Sequence, residues 1–176
     1  KGLYITTANI STSGGGDVVS LHESSALSKF CDNNIDIYTA KDVSDEVKPY
    51  PFLWDFTMSM KVNGKYDIAH FNGHPFHKTI ATLKYYNPDI KIVTSVPAHN
   101  LEHSIEAHHQ LGIPYEQIYP HMIGDSFYEY TRQDAITDVV VYPSKYSMDY
   151  FSKRLGLTNR QTIIPHGCLT PSEYPS

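Results

Sequence analysis

The sequence predicts an α/β fold in which a mainly parallel sheet carries helices on both faces. Short apolar strands alternate with helical stretches from one end of the chain to the other, which is the pattern of successive βαβ units. The first strand runs into consecutive glycines and straight on into an amphipathic stretch. At 176 residues and 40% hydrophobic content the chain has room for one domain with a sizeable core, and no bias points to disorder, collagen or a coiled coil.

Taken in order, residues 3–10 read as the first strand, followed by the loop that holds Gly14, Gly15 and Gly16. A strand, a glycine loop and a helix start together aim unpaired backbone N–H groups at an anion or other ligand. The loop matches neither G-x-G-x-x-G nor the Walker form, so its neighbours must decide its role. In the helix that follows, residues 18–30, the apolar stripe is Val18, Val19, Leu21, Ala26, Leu27 and Phe30, with Asp17 near the positive end. Asp32, Asn33 and Asn34 end it, and residues 35–39 form the second strand. Residues 41–51 are a polar connection, and 52–60 are apolar and long enough for a helix stopping at Asn63 and Gly64, with Trp54 and Phe56 in the core.

The third strand, 66–71, ends in a turn from Asn72 to Phe76, and a helix over 77–86 follows. The fourth strand, 91–96, ends in Pro97, Ala98, His99 and Asn100. Residues 101–111 have a helical pattern, 115–136 mix helix and loop, and 138–142 form a fifth strand. Ser144 then suits the N-cap of a helix over 146–155 that Gly156 stops, before a last short strand at 162–164 closed by Pro165, His166 and Gly167. Parallel sheets hold ligands at the carboxyl ends of their strands. The glycine loop, the Asn72 turn and the Pro97 turn are therefore expected to crowd one rim.

A net charge of −5, a pI near 6.0 and the lack of a basic block argue against a nucleic-acid or anionic-membrane surface. Cys31 and Cys168 are too few for a disulfide scaffold or a cysteine-based zinc site, which makes a reducing, cytoplasmic setting the expectation. No apolar run approaches the ~18 residues of a membrane span. The chain opens at Lys1 and closes on a Pro/Ser stretch after Thr170, and is expected to be a fragment.

Four pieces in this order resemble the N-terminal half of a family 4 retaining glycosyltransferase of the GT-B type. They are the glycine loop opening the first helix, residues 66–70 (Tyr-Asp-Ile-Ala-His), residues 94–100 (Thr-Ser-Val-Pro-Ala-His-Asn), and residues 140–150 running on to Ile163, Ile164, Pro165, His166 and Gly167. The resemblance covers residues 3–167 and implies a Rossmann-like acceptor-side domain over 1–168, with 169–176 opening a linker to a C-terminal donor-binding domain. It implies transfer of a sugar from a nucleotide-sugar donor to a glycan, lipid-linked or small-molecule acceptor, with no cofactor and no metal. His99 is the matching catalytic residue, as a positioning and electrostatic group rather than an obligatory base. Gly14, Gly15, Gly16, His74, Asn100, Ser144 and Lys145 are the expected substrate-binding residues. The family keeps most donor-binding groups in its second domain, so these residues alone are expected to be inactive. Contact with a membrane surface stays open.

Other readings of the same residues remain. His99, Glu102 and His103 spell H-x-x-E-H, the pattern of some zinc hydrolases, although His99 follows a strand and a proline and no third ligand stands out. A stand-alone binding module using the same rim, or a sugar-nucleotide epimerase, would suit the same fold. His108 and His109 read as solvated helix residues, and His22 and Glu23 as an exposed helix face. His74 and His77 flank Pro75, while His166 and Gly167 read as a hinge. Among fourteen tyrosines, Tyr115, Tyr119, Tyr128 and Tyr130 are candidates to line a cleft.

Overall fold

The computed structural model describes residues 1–11, 15–47, 51–73, 76–96, 109–114, 116–117, 125–156 and 160–165. Within them the chain runs β1 (Gly2–Thr6), α1 (Gly15–Phe30), β2 (Ile35–Tyr38), α2 (Pro51–Lys61), β3 (Ile68–Asn72), α3 (His77–Tyr86), β4 (Lys91–Ser95), α4 (Asp125–Ile136), β5 (Val139–Tyr142), α5 (Lys145–Leu155) and β6 (Gln161–Ile163). The strands form one six-stranded sheet in the order β2-β1-β3-β4-β5-β6, and every pairing is parallel. The fold is thus Rossmann-like. Among the described residues no helix is long and apolar enough to cross a membrane.

Successive side chains of a strand point to opposite faces of its sheet. Leu3 and Ile5 of β1, Ala69 and Phe71 of β3 and Ile92 of β4 share one face, where they pack with Trp54 and Met58 of α2 and Ile80 and Leu83 of α3 into the main core. Ile136 of α4 packs against that core, and Val140, Tyr142 and Phe151 continue it under α5. The opposite face carries Tyr4, Thr6, His70, Asn72 and Ser95, and α1 lies against it.

Helix ends follow local chemistry. Phe76 gives α3 no side-chain cap, so Asp55 of α2 serves instead, its buried carboxylate accepting from Lys78 N at 2.8 Å and Thr79 N at 2.9 Å. Ser144 caps α5 by accepting from Ser147 N at 3.1 Å, and Gly156 closes that helix at φ 63°. Gly64 is required by close approach, because a Cβ there would stand 2.9 Å from Tyr86 Cβ and 3.1 Å from its carbonyl oxygen.

Three expectations need correction. α1 begins at Gly15, so Gly15 and Gly16 belong to the helix and not to a loop preceding it. Asp17 ties the approaching chain to the first turn, Oδ1 accepting from Asn9 N at 3.1 Å and Oδ2 from Ser11 Oγ at 2.7 Å. The face that α1 presses on the sheet is Ser20, Ser24 and Leu27, whereas Ala26 and Phe30 of the expected apolar stripe are exposed. Small serines let the helix lie close over the strands, with Ser20 Oγ 3.0 Å from Thr6 Oγ1. Phe56 is 51% exposed, because Trp54, Asp55 and Met58 take the inward arc of α2 and a residue one step past Asp55 turns away.

Candidate functional site

The connections reverse direction at β1. β2 lies on one side of it and β3 on the other, so a crevice opens at the carboxyl ends of β1 and β3. Thr6 and Asn72 are paired there, with Ser95 beside Asn72 on β4. A cavity of about 730 Å³ begins at this rim, between Gly16, Asn72, Ser95, Val96, Pro143 and Pro165, and continues down the sheet face beside α1. Its volume lies within the ~300–1,000 Å³ usual for small-molecule sites.

Glu23 of α1 is the centre of its polar part. Its Oε2 accepts from Tyr4 Oη at 2.9 Å and from Asn72 Nδ2 at 2.6 Å, and stands 3.7 Å from His70 Nε2. His70 also meets Ser95 Oγ at 2.7 Å through that same Nε2, and the edge of Tyr4 packs on its ring at 5.4 Å between centroids. A serine–histidine–carboxylate relay needs the serine and the carboxylate on opposite ring nitrogens. Here one nitrogen serves both, so the trio fixes side chains and does not activate Ser95 as a nucleophile. Burial holds the His70 ring below its ordinary pKa, against a smaller opposing pull from Glu23. Burial first, and then the Glu23 charge, push the Tyr4 hydroxyl far up, which keeps it a hydrogen-bond donor.

The turn after β3 is clamped from a distance. Gly73 takes φ 88° and donates its N–H to Ser95 O at 2.8 Å. Gln133 of α4, itself buried, donates Nε2–H to Gly73 O at 2.9 Å and accepts from Phe76 N at 2.8 Å. A glutamine within a helix carries no sequence signal for such a role.

The expected site residues fall in different places. Gly16 lines the cavity, and a Cβ on it would meet nothing within 4 Å. Gly15 starts α1. Ser144 caps α5 next to the cavity residue Pro143. Lys145 is 72% exposed in its side chain and engages both carboxylate oxygens of Asp149, at 2.9 and 2.6 Å, one turn along its own helix. That ammonium holds the Asp149 carboxyl below its usual range. Gly14, His74, His99 and Asn100 lie outside the described residues, as do Pro75, Pro97, Glu102, His103, His108, Tyr115, Tyr119, His166, Gly167, Cys168 and the segment 169–176; the side chains of Tyr128 and Tyr130 do too. His109 is exposed, as expected. His22 and Glu23, expected on an outer face, are half-buried and line the cavity, because the α1 arc beside the serines looks onto the sheet and not into solvent. Among the described residues no three His, Cys, Asp or Glu side chains gather as a metal site.

No protein-family model matches the chain, and no curated protein does.

Proposed function

We propose that this chain is the acceptor-side domain of a retaining, nucleotide-sugar-dependent glycosyltransferase of the GT-B type, working in the cytoplasm. One observation carries the reading. The cavity at the switch point offers a carboxylate, an amide, a hydroxyl and imidazoles, and no Lys or Arg lines it. Such groups suit the hydroxyls of a sugar or alcohol, which both donate and accept hydrogen bonds. Asp17 in the first turn of α1 sets a carboxylate against the positive helix end, so this rim favours an uncharged acceptor over a diphosphate. The bare Gly16 supports the same reading, since the fold leaves open space where its side chain would be.

In this scheme His99 positions the transferred sugar, and the nucleotide is held mainly by a second domain. Full-length gene product, assayed with a panel of nucleotide sugars, is expected to bind one of them by calorimetry and transfer its sugar, while residues 1–176 alone transfer none. Absence of nucleotide-sugar binding by the full-length protein would overturn the proposal.

A further inference from the structure

The cavity changes character along its length. Asn72 and Ser95 close their strands at the rim, with His70 and Glu23 next below. Further down come Ala26, Leu27 and Phe30, the end of α1, and Ile68, the first residue of β3. From Gly16 to Phe30 the helix rises about 21 Å at ~1.5 Å per residue, so the groove is a polar mouth with a long apolar tail. Phe30 is 75% exposed although it lines this groove, and Ile164 on the other wall is 57% exposed. Apolar side chains left in water along a channel mark a surface that binds something apolar.

The mouth selects the head group. Glu23 uses Oε2 for Tyr4 and Asn72, while its Oε1 accepts from no described residue. His22 Nε2 is buried without a hydrogen-bond partner among the described residues. A head that donates to Oε1 and exchanges hydrogen bonds with the imidazole would satisfy both, whereas an anionic head would meet the carboxylate with no cation beside it.

We infer that the acceptor is an amphiphile, with a hydroxyl-bearing head at Glu23 and Asn72 and an alkyl tail running beside α1 towards Phe30. This rests on the acceptor-side reading and names its substrate class. The test uses the chain itself and n-octyl β-D-glucoside below its micelle concentration, followed by calorimetry, with glucose and octanoate as controls. The glucoside is expected to bind at least about tenfold more tightly than either control, since tail and head each add more than ~1.4 kcal/mol. Glu23→Gln should weaken the glucoside about tenfold and leave octanoate no weaker. Ala26→Trp, at an exposed position, should fill the tail and abolish binding while circular dichroism stays unchanged, and Val93→Trp should do the same from the sheet side.

Octanoate binding as tightly as the glucoside would overturn the inference, as would indifference to both tryptophans. Sedimentation showing that a second copy of the chain fills the groove would also overturn it. Because no donor is present, glucoside binding with no transfer by the full-length protein would leave the groove standing and remove the transferase reading; transfer to a soluble sugar without glucoside binding would do the reverse.

Discussion

On one face of the sheet, α2, α3, α4 and α5 cover the strands and bring Phe71, Phe76, Ile80, Leu83 and Phe151 to zero exposure; on the other, α1 presses serines on β1 and leaves Phe30 in water beside a cavity. Both faces belong to the same parallel strands, so the backbone does not cause the difference. The cause lies in which residues alternate along each strand. Leu3, Ile5, Ala69 and Phe71 point one way, and Tyr4, Thr6, His70 and Asn72 the other. Parallel sheets ordinarily have both faces buried under apolar side chains. A hydroxyl, imidazole and amide row in that place costs stability unless its groups find partners, and here they find them in Glu23, Ser20 and Ser95. One face holds the protein together; the other holds a site.

The sharpest way to break this contrast is to damage the closed face. Phe71→Ala should cost about 3–5 kcal/mol in urea denaturation followed by Trp54 fluorescence, the usual loss for a phenyl ring removed from a packed core. A loss near zero would mean that the closed face is not the stabilising one. Asp55→Ala comes next, at about 3 kcal/mol, because it strips two backbone donors and the Thr79 hydroxyl of their acceptor, all facing a fully buried carboxylate. Asp55→Asn, which keeps one acceptor oxygen, should lose less.

The open face is predicted to respond to pH. The folded His70 lies below its ordinary 6.5. The unfolded chain therefore binds the proton more readily, and the stability tied to the neutral ring is fully present above that value and lost as pH falls through it towards the folded pKa. Denaturation at about pH 7.5 and about pH 5.5 should show a smaller drop for His70→Gln than for the parent chain; equal drops would place the ring in water. The smallest expected effect is Phe30→Ser, within about 0.5 kcal/mol, since its ring covers little in the isolated chain. A loss above about 2 kcal/mol would show that the groove is already filled, and the contrast would need redrawing.

Much of this was legible before any coordinates. The alternation of strands and helices gave all six strands and the convergence of polar turns at the carboxyl rim, because a period change between strand and helix is written directly in the hydrophobic pattern. Asn72 closing β3 and Ser144 capping α5 were readable for the same local reasons. What failed was helix orientation. Hydrophobicity assigned Ala26 and Phe30 to the inward stripe of α1 and Glu23 to its outside, but a helix seated close on Tyr4 and Thr6 turns serines inward, and no single-sequence rule favours serine over phenylalanine for burial. Phe56 failed in the same way. Gln133 was invisible because its role depends on a turn far away in the sequence, and only the fold brings them together.

That separation has a consequence for assembly. The two hydrogen bonds by which Gln133 shapes the Gly73–Phe76 corner span 60 and 57 residues. Contacts between distant parts of a chain form late, after the loop between them has been closed. A nascent chain that has released β1, α1 and β3 already holds the acidic and imidazole groups of the crevice, yet its corner takes final shape only once α4 has emerged and docked. Binding competence is therefore among the last properties this protein acquires on its way out of the ribosome.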